Sequence, residues 1–377
     1  MNRALKILLI GNYPPPMCGW AMQTKLVVEE LRRRGHICEV LKINENRQVK
    51  SAEYVDVQSG PDYLFKMARY ALRGFQLNVH VNGMSKKGYW LAMAAALTGR
   101  LTGRPTRLTF HGGFDQMYFP RYDRSTPHWG FTLLFRVAGE IACDSSDIKS
   151  AIERYGISAD KVTAIATFSP QYMDFQRVAL SEETERFIDR HGPVIFSYVS
   201  YRPEYRLEIM REGMARYRKL YSNAGFIWLG FPEKELPAAK ESVKDWPEVE
   251  RESLLILGNL THNQFLTLLA RSDINLRTPA CDGVAASVLE SLALGIPVVA
   301  SENGRRPSGV ITYEDTDAEE MCAKLVYATE HNQELKSRLL ANFAGDAHED
   351  EDNIGRMADW VSGCTGIRDG AEIAIAR

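Results

Sequence analysis

The chain has 377 residues, of which 45% are hydrophobic and 25% are charged, a composition typical of soluble globular proteins. Its length exceeds what one hydrophobic core usually organises, so we expect two domains. No apolar run approaches the roughly 20 residues of a membrane-spanning helix. The first residues, Met1 to Tyr13, predict a strand rather than a signal peptide, and we therefore expect a cytoplasmic protein.

The net charge of -2 conceals an uneven distribution. Residues 1–180 contain 24 Lys and Arg against 15 Asp and Glu, whereas the remainder contains 22 against 33. Either the first half faces an anionic surface or substrate, or the two halves attract each other. The six cysteines have no C-x-x-C spacing, which predicts reduced thiols rather than a disulfide framework.

In the first half, apolar runs alternate with helical segments, the pattern of a doubly wound parallel sheet. The predicted strands are 6–10, 37–41, 77–81, 107–110 and 140–143, and the predicted helices are 22–34, 63–74, 89–98 and 147–155. The loop after the first strand contains Gly19 but no G-x-G-x-x-G, so it is not a dinucleotide fingerprint. His111 directly follows the fourth strand, at the edge where open α/β sheets bind ligands.

A polar stretch at 171–191 is interpreted as the interdomain connection, and a second alternating set follows it. Here the predicted strands are 194–198, 226–229, 253–257, 273–276 and 296–300, and the helices are 204–221, 263–270, 285–294, 317–329 and 353–361. Two Rossmann-like domains are therefore expected, at 1–175 and 190–354.

The segment from Thr278 to Ser301 is the most informative one. It places two carboxylates, Asp282 and Glu290, eight positions apart across the start of a short helix that Gly295 ends as a left-handed cap. The free N–H groups of such a helix start can bind a diphosphate, while Glu290 can accept two ribose hydroxyls. The segment therefore predicts a nucleotide-sugar site; the alternative is an ordinary loop–helix–strand unit whose Glu290 faces solvent.

This segment resembles the E-x7-E signature of retaining glycosyltransferases of family 4, although Asp282 stands where that signature has Glu. The resemblance implies an α/β GT-B fold, with two Rossmann-like domains facing a central cleft. It implies sugar transfer, with retention, from a nucleotide-diphosphate sugar to an acceptor that is a glycan or lipid-linked glycan. No cofactor and no metal are expected. It also implies that a C-terminal helix at about 355–377 packs back on the first domain.

The resemblance assigns roles to the carboxylates and to the amides between them. Asp282 would contact the donor sugar and Glu290 the ribose. The diphosphate would meet the backbone amides of the loop and helix start, at Gly283, Val284, Ala285 and Ala286.

The ends of other predicted strands match the motifs of this family less closely. Arg202 and Arg206 hold the places of two cations that neutralise the departing diphosphate. His111 would contact the donor near its reacting carbon, and Gly19 is one half of the usual Gly-Gly pair. The loop expected to meet the nucleobase consists of Gly258, Asn259 and Leu260. The segment 301–306 departs from the family pattern.

Several readings compete with transfer. The departures are also those of an inactive nucleotide-sugar-binding protein on the same fold, and a Rossmann-type oxidoreductase is a further alternative. Asp315-Thr-Asp317 could hold a metal but fits a helix cap better. No nucleic-acid module is recognisable.

A basic amphipathic segment at 63–73, followed by Lys86 and Lys87, suggests that the protein contacts an anionic membrane peripherally, at the inner face of the plasma membrane. An ordinary solvated helix is the alternative.

Overall fold

The chain forms two compact units, each built on its own parallel sheet. The first unit comprises Met1–Gln171 and Glu351–Arg377, and the second comprises Tyr172–Asp350. The computed structural model describes residues 4–15, 18–114, 116–120, 129–280, 285–345 and 352–363.

The first unit has a six-stranded sheet whose paired strands all run parallel. Its strands are β1 (Lys6–Gly11), β2 (Ile37–Lys42), β3 (Gln76–Asn82), β4 (Arg107–His111), β5 (Ile141–Cys143) and β6 (Val162–Ala164). Their order in the sheet is β2-β1-β3-β4-β5-β6. Strands β1, β3 and β4 are buried along most of their length because helices cover both faces of the sheet.

The helices of the first unit lie in two layers. They are α1 (Gly19–Arg33), α2 (Gly60–Leu72), α3 (Lys86–Leu101), α4 (Trp129–Val137), α5 (Ser146–Glu153) and, at the end of the chain, α14 (Asn353–Ser362). Helix α3 packs against α2 and α4, whereas α1 packs against α14. In the sheet, β2 lies on one side of β1 and β3 to β6 lie on the other, so the chain moves across the sheet in opposite directions before and after β2. Right-handed crossovers therefore place α1 on one face of the sheet and α2, α3 and α4 on the other. Serine side chains cap α2, α3 and α5, at Ser59, Ser85 and Ser145.

The second unit repeats this plan. Its strands are β7 (Val194–Tyr198), β8 (Gly225–Leu229), β9 (Leu254–Leu257), β10 (Ile274–Arg277), β11 (Val298–Ser301) and β12 (Val310–Tyr313), and their order is β12-β11-β10-β7-β8-β9. Its helices are α6 (Glu182–Arg190), α7 (Leu207–Leu220), α8 (Leu236–Ser242), α9 (Glu248–Glu252), α10 (His262–Ala270), α11 (Ala286–Ala293), α12 (Ala318–Glu330) and α13 (Asn332–Gly345).

The doubly wound α/β architecture predicted from the sequence is confirmed, and the differences are local. The polar stretch interpreted as a connection contains helix α6, which begins at a Ser181 cap and buries only Thr184 and Phe187. Strands β6 and β12 were not predicted because they are short and only partly buried. Helices α4, α8, α9 and α13 were not predicted either.

No helix in the described ranges is both long and apolar enough to cross a membrane. The four cysteines within those ranges, Cys18, Cys38, Cys143 and Cys322, are free thiols; Cys281 and Cys364 lie outside the described residues.

Candidate functional site

In the first sheet, the strand order reverses between β1 and β3, which is where open α/β sheets bind ligands. The parallel register places Ile10 opposite Val79, so Gly11 and His80 follow side by side. They are in close contact: a Cβ atom added to Gly11 would lie 3.0 Å from Cγ of His80. The His80 ring leaves little room for a side chain at this position, which favours a glycine.

Four side chains form a cluster beside this point, which we call the histidine cluster: the buried His80 and His111 and the half-buried Trp20 and Asp144. The indole Nε1 of Trp20 donates a hydrogen bond to Nδ1 of His80, at 2.7 Å. The Nε2 atom of His111 lies 3.2 Å from the same nitrogen. Nδ1 of His111 lies 3.3 Å from Oδ1 of Asp144. Both ring nitrogens of His111 therefore face protein groups.

The hydrogen bond from Trp20 fixes the tautomer of His80. An indole N–H can only donate, so Nδ1 of His80 must accept, and the neutral ring carries its proton on Nε2. Burial and the neighbouring His111 hold the pKa of His80 well below its usual value, which favours this neutral form. Among the described residues, none forms a hydrogen bond with Nε2 of His80. His80 is thus a neutral donor at the switch point.

Glycine also shapes the turn that follows His111. Gly112 has a φ of +106°, and its N–H donates to Oδ2 of Asp144 at 2.9 Å. A Cβ atom there would lie 2.4 Å from Nε2 of Gln116. The glycine that follows His111 therefore serves to orient Asp144 beside it.

In the second sheet the order reverses between β7 and β10. Arg277, the last residue of β10, is 7% exposed and lies over the rings of Tyr198 and Tyr205, at 5.9 and 5.5 Å from their centroids. Its Nη1 donates to the carbonyl of Tyr198, and the hydroxyl of Thr278 donates to the carbonyl of Tyr205. These contacts join the ends of the two central strands. Sequence reasoning missed Arg277, although an arginine ending an apolar strand was a visible signal.

Helix α11 begins at the carboxyl edge of this sheet, after β10. Its N-cap residue, Ala285, offers no side-chain hydrogen bond to the first turn. Glu290 lies one turn further along, is 4% exposed, and no described residue hydrogen-bonds to its carboxyl group. Burial alone raises the pKa of Glu290 to about 8. A carboxylate at this position would need hydrogen-bond donors to offset its desolvation, and the hydroxyl groups of a ligand are suitable donors.

Side chains from β10 fix the position of α11. The amide Nδ2 of Asn275 donates to the hydroxyl of Ser291, at 2.8 Å, and to the carbonyl of Ser287, at 3.2 Å. On the other side, Val288 and Leu292 pack against β11 and α13. The start of the helix is therefore held rigidly beside the strand ends.

The two predicted cations differ in their surroundings. Both are exposed, and Arg206 precedes α7 with φ +48° and ψ +46°, a left-handed conformation that is rare for arginine. Nε and Nη2 of Arg206 donate to Oδ2 of Asp315, at 3.1 and 3.0 Å. Arg202 precedes the short 3₁₀ turn Pro203–Tyr205.

The predicted helix cap is confirmed: Oδ1 of Asp317 accepts hydrogen bonds from the N–H groups of Glu319 and Glu320 at the start of α12. Asp315, the other acid of that triplet, pairs with Arg206. Within the described ranges, no group of three His, Cys, Asp or Glu side chains is arranged to hold a metal ion.

The remaining predicted residues lie at helix starts, in the loop between β9 and α10, or outside the described residues. Gly19 is the first residue of α1, and Ala286 is the first residue of α11. The half-buried residues Gly258, Asn259 and Leu260 connect β9 to α10. Asp282, Gly283 and Val284 lie outside the described residues.

A recess of about 380 Å³ lies elsewhere in the second unit. It is lined by residues that include Pro193 and Asp273, each directly before a strand, and therefore opens at the amino-terminal edge of the sheet. Since ligands of doubly wound sheets bind at the carboxyl edge, this recess is not the candidate site.

Two six-stranded parallel sheets with alternating helices define a two-domain α/β fold of the GT-B type. No protein-family model and no curated protein sequence matches the chain. Solved structures match it over almost its whole length. The HepE protein (Alr3699) of Anabaena, bound to UDP, is 13% identical, with a TM-score of 0.67 over 96% of this chain and 99% of that one.

Two further structural neighbours are assigned to two different activities. A protein of Listeria monocytogenes assigned as a UDP-N-acetylglucosamine 2-epimerase is 13% identical, with a TM-score of 0.66 over 98% of this chain and 99% of that one. A glycosyltransferase of Rickettsia africae is 14% identical, with a TM-score of 0.64 over 95% of this chain and 99% of that one. At these identities the likeness shows the fold, and the fold hosts more than one chemistry.

Proposed function

We propose that the protein is a glycosyltransferase that uses a uridine-diphosphate sugar and retains the anomeric configuration. The observation that carries this proposal is Glu290, a buried carboxyl group without a described partner, one turn into a helix whose start is uncapped. The complex of HepE with UDP supports uridine as the base. The acceptor we propose is a glycan or a lipid-linked glycan.

In this proposal the second unit holds the donor. Glu290 accepts hydrogen bonds from the two ribose hydroxyls, and the N–H groups at Ala285 and Ala286 bind the diphosphate at the positive end of the helix dipole. The nucleobase lies at the loop of Gly258, Asn259 and Leu260. Asp282, with the amides of Gly283 and Val284, contacts the donor sugar and the phosphates.

The arginines act on charge that develops during the reaction. The bond from the anomeric carbon to the diphosphate oxygen breaks, the acceptor oxygen bonds to that carbon, and the acceptor proton is released with UDP. Negative charge grows on the leaving diphosphate, and Arg202 and Arg206 stabilise it. Asp315 competes with the diphosphate for Arg206, because it accepts hydrogen bonds from Nε and Nη2 of the guanidinium.

For the first unit we propose that His80 donates to the ligand and that His111 acts as a positioning residue. Nε2 of His111 lies 3.2 Å from Nδ1 of His80 and its Nδ1 faces Asp144 at 3.3 Å, whereas the Nε2–H of His80 is not bonded within the described residues. Gly19 lies in the neighbouring loop and start of α1, where close approach of a ligand to the backbone is possible.

The test is calorimetric titration of UDP, GDP, ADP and dTDP into the wild type and Glu290→Gln. We expect UDP to bind the wild type most tightly and Glu290→Gln at least tenfold more weakly, because hydrogen bonds to a charged acceptor are worth about 1.5–3 kcal/mol. Since the ribose hydroxyls favour the carboxylate, wild-type affinity should rise as the pH approaches 8, with release of a proton. Equal affinity of both proteins for UDP would refute the assignment of Glu290.

A second candidate, a UDP-sugar 2-epimerase, is favoured by the structural likeness to the Listeria protein. The two reactions give different products, because an epimerase inverts one carbon of an intact nucleotide sugar and needs no acceptor. Nuclear magnetic resonance of UDP-N-acetylglucosamine incubated with the protein alone distinguishes them. A second intact UDP-sugar identifies an epimerase, whereas release of UDP that rises with added acceptor identifies the transferase.

A further inference from the structure

The outer helical layer of the first unit, formed by α2, α3 and α4, exposes an unusual number of large apolar side chains. On α3, Trp90, Leu97 and Leu101 are 66%, 48% and 88% exposed. At 100° per residue these three positions fall within about 40° of one another, so they share one face of the helix. Apolar surface of this kind marks an interaction site rather than ordinary exposure.

The two neighbouring helices extend this apolar face. On α2, Phe65 and Leu72 are 66% and 79% exposed and lie on the same side of the helix. On α4, Trp129 and Leu133 are 80% and 53% exposed, one turn apart. Because α3 packs against both α2 and α4, the three exposed rows belong to one layer of the unit.

The charge of these helices is strongly biased toward one sign, although the first turn of α2 contains Asp62, which pairs with Lys66. From Tyr63 to Phe114 the sequence contains eight Lys and Arg and no Asp or Glu, and α4 adds Arg136 without an acid. Four of the cations, Arg69, Arg73, Lys86 and Lys87, are exposed. No ion pair in the described part of the chain involves these four.

A cationic and apolar face of this composition is complementary to one kind of partner. A protein interface usually combines both signs of charge, and nucleic acid would be met by a groove or a recognisable module. An anionic bilayer accepts Trp and Leu at its headgroup boundary and attracts Lys and Arg at its surface. We propose that the face formed by α2, α3 and α4, which we call the bilayer face, binds peripherally to anionic lipid membranes.

This proposal is independent of the reaction assigned to the second unit, and it extends the sequence-based hypothesis. That hypothesis named the segment 63–73 and Lys86-Lys87 before Tyr89 and Trp90, whereas the structure adds α4 and, on α3, Leu97 and Leu101. Trp129 and Leu133 were missed because their helix was not predicted.

Co-sedimentation of the full chain with vesicles tests the proposal. We expect binding to phosphatidylcholine vesicles that contain phosphatidylglycerol, weaker binding at high salt, and little binding to phosphatidylcholine alone. The triple variant Trp90→Ser/Leu97→Ser/Leu101→Ser should bind at least tenfold more weakly. Its control is Leu220→Ser/Val249→Ser, which removes apolar side chains that are 66% and 59% exposed on the second unit and should bind like the wild type.

Charge reversal supplies a second, independent arm. Lys86→Glu/Lys87→Glu should weaken binding to the anionic vesicles at least tenfold, whereas Lys234→Glu/Lys240→Glu, at exposed lysines of the second unit, should not. Thermal unfolding midpoints near that of the wild type show that the variants fold.

Three results would overturn the proposal. The wild type could remain in the supernatant with anionic vesicles at low salt. The two arms and their controls could bind equally. The wild type could also be a dimer by light scattering, with a monomeric triple variant and no vesicle binding, in which case a second copy of the chain covers this face.

Discussion

The two units place different chemistry at the same position of the same topology. Where the strand order reverses in the first unit, His80 lies against Gly11 and accepts a hydrogen bond from Trp20, so the edge is filled by rings that bond to one another. At the corresponding edge of the second unit, Glu290 is buried without a described partner, beside an uncapped helix start. At the first edge the protein itself pairs Nδ1 of His80 and leaves its Nε2–H without a described partner, whereas at the second edge the whole carboxyl group of Glu290 lacks one.

Burial favours the neutral form at both edges, but with opposite consequences for proton binding. A neutral imidazole has lost a proton, whereas a neutral carboxyl group retains one. The contribution of His80 to stability should therefore be lost as the pH falls, and that of Glu290 as the pH rises. Two sheets with the same topology therefore place groups of opposite pH dependence at the same position. Substitutions at each edge test this difference.

The largest effect should come from Glu290→Gln. The pKa of Glu290 is about 8 in the folded chain against an ordinary 4.5, so its stabilising contribution is complete below pH 4.5 and is lost as the pH rises to about 8. One pKa unit corresponds to about 1.4 kcal/mol, so this loss is on the order of a few kcal/mol. Glutamine cannot ionise and should remove it, as measured by denaturant unfolding across this pH range.

The control for that measurement is Glu233→Gln, which changes an exposed glutamate of the same unit. Its unfolding profile should parallel that of the wild type. Parallel profiles for Glu290→Gln and the wild type would contradict the assignment of a buried, neutral carboxyl group.

The next largest effect on stability is expected at Gly11, which is in close contact with His80 at the strand ends of the first unit. In Gly11→Ala the new methyl group would lie 3.0 Å from Cγ of His80, so the ring must move, at a cost of about 1–3 kcal/mol. Gly60→Ala is the matched control, because no atom lies within 4 Å of the added methyl group. Denaturant midpoints should fall for the first variant only; equal midpoints would mean that the ring adjusts freely.

Part of this contrast was visible in the sequence. The start of α11, Glu290 one turn inside it and the cap at Gly295 follow from apolar spacing and glycine chemistry, which are local properties. Gly295 adopts the expected positive φ of 69°. The strands at the centres of both sheets could be predicted in the same way, because a strand covered on both faces is mostly apolar.

The first edge was not visible in this way. His80 lies inside a strand that reads as apolar, and its importance depends on Trp20 and His111, which are 60 and 31 residues distant in sequence. Tertiary contacts of this length have no local pattern. One signal existed: Asn78 and His80 alternate with apolar residues in a strand of a parallel sheet, where both faces are covered. Two polar residues in such a strand indicate buried hydrogen bonds.

A smaller effect is expected for Trp20→Phe, which deletes one hydrogen bond at about 0.5–1.5 kcal/mol. The wild type should lose stability as the pH falls below the ordinary pKa of histidine, because the pKa of His80 is held well below 6.5 in the folded chain. Without the indole donor, Nδ1 of His80 can take up a proton more easily, so its pKa should rise. The stability difference between the two proteins should therefore shrink on acidification, as measured by unfolding at several pH values. A constant difference would show that the indole does not fix the tautomer.

The smallest effect on stability is expected for Asp315→Asn, since an exposed ion pair is worth about 0–1 kcal/mol. Its effect on binding is more informative. Releasing Arg206 should strengthen binding of UDP a few-fold and leave binding of uridine unchanged, because only UDP carries the diphosphate. Arg206→Gln should weaken UDP alone, whereas Arg211→Gln, which breaks the comparable pair with Glu250, should change neither ligand. If UDP and uridine respond equally to Asp315→Asn, Arg206 does not meet the diphosphate, and the second edge depends on helix α11 and Glu290 without it.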